Sequence, residues 1–142
     1  MTSEKIRQLA QRVPLFHALD GADIEKIVSR GMTMRMLKGE TLFYKGTSGN
    51  QMYVVLAGKL GVYNGETMIA TLRPGDMCGE MALVNHETRS ATVKLEEDSL
   101  LFVLTETTLN KLLTKRVAVQ LLLNIIATLS KRLQEANKRT AP

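Results

Sequence analysis

Between residues 32 and 104 the sequence breaks into runs of roughly five strand-forming residues separated by glycine-bearing turns. Eight of the ten glycines fall between Gly39 and Gly79. A helix through that density of glycine is excluded, because each glycine costs about 1 kcal/mol in a helix interior. Short strands tolerate it, since the turns between them call for positive φ. Met32, Met34 and Met36 alternate with Thr33, Arg35 and Leu37. Further strands are expected at 41–44, 52–56, 60–63, 67–72, 89–95 and 99–104. Asn64-Gly65 predicts a two-residue type I′ hairpin, and Lys38-Gly39-Glu40 and Pro74-Gly75-Asp76 predict turns. This spacing predicts a sandwich or barrel.

Helix is written at both ends. Residues 3–12 place Ile6, Leu9 and Ala10 on one face, and Pro14 ends that run. Asp20 is placed to cap a second short helix carrying Ile24, Ile27 and Val28, which Gly31 closes. Thr105 reads as an N-cap for a helix with Leu109, Leu112 and Leu113 facing the core, and residues 116–139 run without glycine or proline. The expected organisation of residues 1–142 is therefore one domain: N-terminal helices over 1–31, a β-barrel over 32–104, and C-terminal helices over 105–139.

A chain of 142 residues at 44% hydrophobic and 23% charged has ordinary globular composition, which excludes disorder throughout. One cysteine, Cys78, excludes a disulfide framework and a four-cysteine metal site, and reads as an inert core thiol. His17 and His86 have no local partner and read as loop histidines, so no metal is expected. The first fifteen residues carry Glu4, Lys5, Arg7 and Arg12, which leaves no signal-peptide core. No apolar run approaches the ~18 residues that span a bilayer. A cytoplasmic setting without membrane insertion is expected.

The net charge of +5 is unevenly placed. Residues 110–142 hold seven basic side chains and one acidic, while residues 1–109 hold twelve and thirteen. Lys and Arg along the last helix suit its dipole and its solubility, and nucleic-acid binding by this chain alone is not expected.

The chemistry concentrates in residues 79–93. Gly79 allows the backbone to turn closely against a ligand. Residues 80–83 suit a single helical turn whose free N–H groups face an anion. Arg89 supplies a planar two-pronged donor for a phosphate, with the Ser90 hydroxyl beside it. Glu80 is a strong acceptor suited to a sugar hydroxyl, and phosphate would repel it, so it must face the other end of a ligand. No nucleophile elbow, zinc-protease helix or P-loop lysine is present.

The stretch resembles the phosphate-binding cassette of cyclic nucleotide-binding domains. The family pattern Gly-Glu-x-Ala-Leu followed by Arg-x-Ala-(Thr/Ser)-Val is met at Gly79, Glu80, Ala82, Leu83, Arg89, Ala91, Thr92 and Val93. Pro14-Leu15-Phe16, Lys38-Gly39-Glu40 with Leu42-Phe43 and Gly46, the run 52–56 with Gly58, and Pro74-Gly75-Asp76 extend the likeness over residues 13–135.

The resemblance implies a mainly β fold, a flattened β-barrel or jelly roll (double-stranded β-helix) with N-terminal helices and a long C-terminal helix. It implies that Glu80 holds the ribose 2′-hydroxyl and Arg89 the exocyclic phosphate. Ser90 and the N–H groups of Ala82, Leu83 and Ala91 would complete a cradle to which Gly79 and Met81 belong. The family domain binds and does not cleave, so no catalytic residue and no cofactor are expected beyond the ligand itself, cAMP or cGMP. Ser90 after the arginine leans toward cAMP. In relatives the C-terminal helix covers the base, which makes Asn137 and Arg132 candidates here, whereas Ala136 has no polar group to offer.

Val119, Leu122, Ile126, Leu129, Leu133 and Ala136 step by alternating threes and fours, a heptad seam for a homodimer. Ala118, Leu121 and Ile125 form a second stripe that suits the chain's own barrel. The expected function is a non-catalytic cyclic nucleotide sensor that signals through this helix. Alternatives are a dimerising scaffold without nucleotide, or the sensor half of a transcription regulator whose DNA-binding domain lies outside this chain.

Overall fold

A computed structural model describes residues 4, 8, 12–80, 88–112 and 115–140. Eight strands form two four-stranded antiparallel sheets: β1 (Met32–Met36), β2 (Thr41–Phe43), β3 (Gln51–Ala57), β4 (Leu60–Asn64), β5 (Thr67–Leu72), β6 (Met77–Cys78), β7 (Thr92–Leu95) and β8 (Ser99–Thr105). One sheet has the order β1-β8-β3-β6 and the other β2-β7-β4-β5. A 3-10 turn (Pro14–Phe16) and helix α1 (Gly21–Arg30) precede the strands; α2 (Glu106–Leu112) and α3 (Lys115–Thr140) follow them. This is the jelly-roll arrangement expected. The helix expected over residues 3–12 lies almost wholly outside the described residues, as do the side chains of Leu109, Leu112 and Leu113.

β3 and β8 are continuous apolar runs because both of their faces are covered. Tyr53, Val55, Leu101 and Val103 point between the sheets, toward Val93 and Leu95. Met52, Val54, Leu56, Phe102 and Leu104 point the other way, toward Phe16, Ile27, Leu121 and Ile125. The period of two thus builds two cores from one pair of strands.

Helix α1 begins as its cap predicts: the Asp23 amide donates to Asp20 Oδ1 at 2.8 Å. Gly31 ends it for a different reason from the one expected. Its backbone is extended (φ −80°, ψ 174°), not left-handed. A Cβ there would stand 2.2 Å from Phe102 Cζ, so glycine is required by ring packing.

The β4–β5 hairpin is also displaced from expectation. Asn64 pairs with Thr67 inside the ladder, so the turn residues are Gly65 and Glu66. Of the two only Gly65 has positive φ, at 64°. That is a type II′ pattern, with glycine first, and not type I′. β7 starts at Thr92, three residues later than expected. Arg89 is bound to the β2–β3 loop instead: its amide donates to Thr47 O, and its carbonyl accepts from the Gly46 amide, both at 2.8 Å.

Helix α3 lays Val117, Leu121 and Ile125 on the core. Asn124, buried among them, donates from Nδ2 to the carbonyls of Leu15 at 2.7 Å and His17 at 2.8 Å, which fastens α3 to the 3-10 turn. Leu129 departs from the expected seam and packs against this chain's own core. Val119, Leu122, Ile126 and Leu133 stay exposed. Among the described residues no helix is long and apolar enough to cross a membrane.

Candidate functional site

Gly79, Glu80, Arg89 and Ser90 line one cavity of about 390 Å³, a volume within the range of roughly 300–1,000 Å³ usual for small-molecule sites. Its apolar wall comes from β4, β5 and β7 through Val62, Ala70, Leu72 and Val93, with Leu129 of α3 above. Sequence reasoning missed these apolar residues and Leu129, because their inward direction depends on sheet pairing. Met81, Ala82 and Leu83 lie outside the described residues.

Two charges of opposite sign are buried in the cavity wall. Glu80 is 3% exposed and Arg89 7%. Ordinary surface charges would be solvated, since Glu and Arg are almost never fully buried unless paired.

Arg89 has no carboxylate within ion-pair distance among the described residues. Its Nη2 donates to Gln51 O at 2.9 Å and its Nη1 to Gly79 O at 3.2 Å. Phe43 lies under the guanidinium, with Cζ 4.3 Å from the ring centroid. Among the described residues, two carbonyl dipoles and an aromatic face hold the cation and none neutralises it, so its positive charge is available to an anion. Gly79 has φ +79°, and a Cβ on it would meet Arg89 Nη1 at 2.6 Å. Here glycine meets two demands, the left-handed backbone and the close approach of the arginine.

Glu80 is partnered from the last helix. Arg132 Nη1 donates to Glu80 Oε1, and Arg132 Nη2 donates to Met77 O at 2.9 Å. Arg132 is therefore an ion-pair partner of the cassette glutamate. Asn137 is exposed on α3 and Ala91 is buried, and neither lines this cavity.

Cys78 adjoins the site. Burial, then the Glu80 carboxylate, push its thiol up to about 12 from an ordinary 9.0, so it is a neutral core thiol as expected. Burial also raises the Tyr53 phenol, against the Arg89 charge that lowers it.

A larger cavity of about 600 Å³ lies across Arg132, between the 3-10 turn, the 74–76 turn and α3. Its charged rim is mixed, Arg12 and Lys131 against Asp76 and Glu135, and neither Glu80 nor Arg89 reaches it. The buried charges, not the larger volume, define the candidate site. No group of three metal-ligating side chains occurs among the described residues.

The family model of the cyclic nucleotide-binding domain matches residues 33–116. The chain belongs to the cyclic nucleotide-binding domain family, whose members are regulatory binding modules. The cyclic AMP receptor protein of Thermus thermophilus is 31% identical over 129 residues, covering 87% of this chain and 59% of that protein. The cAMP-dependent protein kinase regulatory subunit of Schizosaccharomyces pombe is 33% identical over 106 residues, covering 74% of this chain and 26% of that one. The chain thus spans less than two thirds of either relative. A cyclic nucleotide-binding domain from Methylobacillus flagellatus superimposes with a TM-score of 0.85 at 21% identity, over 99% of this chain and 83% of that one. That likeness bears on the fold.

Proposed function

We propose that this domain is a non-catalytic sensor that binds a cyclic purine nucleotide, cAMP in preference to cGMP, and signals through α3. The observation that carries the reading is the buried Arg89 guanidinium, facing a cavity with no carboxylate within ion-pair distance among the described residues. A phosphate diester supplies the missing charge. Arg89 takes the exocyclic oxygens with the Ser90 hydroxyl, and the N–H groups of Ala82, Leu83 and Ala91 complete the cradle. Glu80, at the other end of the cassette, accepts from the ribose 2′-hydroxyl. The apolar wall of Val62, Ala70 and Leu72 takes the sugar and base.

Arg132 gives a route from ligand to helix. A hydroxyl arriving at Glu80 shares a carboxylate that Arg132 already holds, so binding changes the strength of a bond anchored on α3. Signalling requires that the ligand bind two helix positions with different affinity. Leu129 and Arg132 are the residues of α3 that border the cavity and cover the base; Asn137, five residues beyond Arg132, is set aside because it lies outside that lining. The preference for cAMP rests on Ser90 and on the two cAMP-regulated relatives.

Side-by-side calorimetric titration of cAMP and cGMP into the wild type and Arg89→Ala tests the reading. Binding of both nucleotides, tighter for cAMP and abolished or strongly weakened in the variant, is expected. Absence of heat with both would leave a scaffold of the same fold. Equal or tighter binding of cGMP would overturn the preference alone.

A further inference from the structure

The Arg89 guanidinium does not stand by itself. Phe43 of β2 presents its ring face to the guanidinium, with Arg89 Cζ 4.3 Å from the ring centroid. Tyr53 of β3 backs Phe43, with ring centroids 6.1 Å apart and planes tilted by 32°. The Tyr53 hydroxyl donates to Gln51 Oε1 at 2.9 Å, and the main-chain carbonyl of Gln51 accepts from Arg89 Nη2. The Phe43 and Tyr53 side chains and the main chain of Gln51 thus lie in a connected series of contacts that begins and ends on the cation. Gly49 completes the confinement: a Cβ there would lie 2.4 Å from Nη2 and 2.8 Å from Cζ.

We propose that Phe43 is a positioning residue for phosphate binding: its aromatic face holds the Arg89 guanidinium so that its uncommitted N–H groups point into the cavity. The inference rests on the cyclic nucleotide reading and deepens it. Two of the five N–H bonds of Arg89 are spent on the Gln51 and Gly79 carbonyls. Those two fix the guanidinium in its own plane at one edge. A ring face resists tilting out of that plane, which carbonyls at the edge do not. An aliphatic side chain of equal bulk fills the space without attracting the cation, because the attraction comes from the ring quadrupole.

The experiment compares Phe43→Leu and Phe43→Tyr, each alone and with Arg89→Lys. Phe43→Leu is expected to weaken cAMP and cGMP by the same factor, about 3- to 30-fold, since both share the phosphate. Phe43→Tyr keeps the face and restores binding. With Arg89→Lys in place the Leu substitution has little further effect, because the planar group it positions is gone. A purely structural role would give the same loss in both backgrounds and would overturn the proposal. So would wild-type affinity in Phe43→Leu. A measurement on the wild type stands apart from any folding defect: the Arg89 Nε–Hε resonance is expected upfield, from the ring current, and an unshifted resonance overturns the proposal. Failure of the wild type to bind either nucleotide overturns the functional reading and this one with it. Wild-type binding that Phe43→Leu leaves intact overturns only the role of Phe43.

Discussion

Arg132 is 52 positions from Glu80, yet its guanidinium spans the Glu80 carboxylate and the Met77 carbonyl. One side chain of α3 is thereby fastened to both the cassette and the strand that leads into it. Glu80 is buried while Arg132 is 44% exposed, so the carboxylate depends on the pair more than the arginine does. Arg132→Ala leaves a buried carboxylate without its cation and is expected to cost about 1–3 kcal/mol of stability, between the values for exposed and buried pairs. Glu80→Gln in the same background should recover part of that loss, because the stranded charge is gone. Urea denaturation of the two single variants and the double variant checks the coupling; additive effects would show that the pair contributes nothing.

Substitution at Arg89 should act on binding and spare the fold. Its charge is held by two carbonyls and a ring, so its removal takes away a buried cation and strands no buried carboxylate among the described residues. Arg89→Ala is expected to lose about 2–5 kcal/mol of nucleotide binding, the range for one partner of a desolvated charge pair. Gly49→Ala should weaken binding too, through a Cβ that meets the guanidinium at 2.4 Å. Glu80→Gln should cost less than Arg89→Ala, about 1.5–3 kcal/mol for a charged hydrogen bond. Calorimetry ranks the three, and an Arg89→Ala protein that binds normally would show that the phosphate sits elsewhere.

The elements that could be read from the sequence are those with a local signal. β3 and β8 announce themselves as apolar runs, α1 by Asp20, and the cassette by Gly79, Glu80 and Arg89 at fixed spacing. β6 has two residues, too few to show any period. Arg89 to Ala91 look like strand by composition, but the two backbone bonds from Gly46 and Thr47 hold Arg89 out of the ladder. Gly31 reads as the glycine that closes a helix, and nothing near Gly49 marks it out, although a Cβ at either would meet a side chain far along the chain, Phe102 or Arg89. The partners of the site are hidden for the same reason. Phe43 and Gln51 reach it through pairing of distant segments, which no window of sequence contains; Arg132 is a candidate by resemblance, but its bond to Glu80 joins segments just as distant.

Packing at Gly31 gives a prediction on stability alone. Its φ suits any residue, so a substitution meets no backbone strain. The obstacle is the Phe102 ring, at 2.2 Å from the added Cβ. Phe102 is itself enclosed by the helical core and has little room to retreat. Gly31→Ala is expected to destabilise the domain by about 1–3 kcal/mol, as overpacking does. Thermal denaturation of Gly31→Ala together with Phe102→Leu should recover stability if the ring is the cause.

The Cys78 thiol predicts a loss of stability in alkali. Burial holds its proton in the folded chain up to about 12, whereas the unfolded chain releases it near 9.0. The folded state therefore binds more protons than the unfolded state between those values. Its contribution is complete below about pH 9 and is lost as pH rises toward 12. The slope approaches ~1.4 kcal/mol per pH unit for one proton. Cys78→Ala should flatten the stability profile between pH 9 and 11 relative to the wild type; parallel profiles would show that other groups govern it.

The exposed stripe on α3 makes a prediction about assembly. Val119, Leu122, Ile126 and Leu133 are 48–62% exposed, at helical spacings of three, four and seven. Leu129 belongs to the same heptad, but it faces the cavity and the core of its own chain. A charge at Leu129 would thus damage the site directly and confuse any test of assembly. Leu122→Lys with Ile126→Lys avoids this, because both side chains point away from the barrel. Two lysines placed against a partner's apolar seam bury unpaired charge, so the double variant is expected to be monomeric where the wild type is dimeric. Light scattering over a range of concentrations measures this directly. The affinity of Arg89 for the phosphate should survive in the monomer, since among the described residues Gln51, Gly79 and Phe43 of the same chain hold its guanidinium. Overall nucleotide affinity should fall if a partner steadies α3 over the base. A wild type that stays monomeric at high concentration, with and without cAMP, would remove the dimer, and unchanged affinity in the double variant would separate assembly from binding.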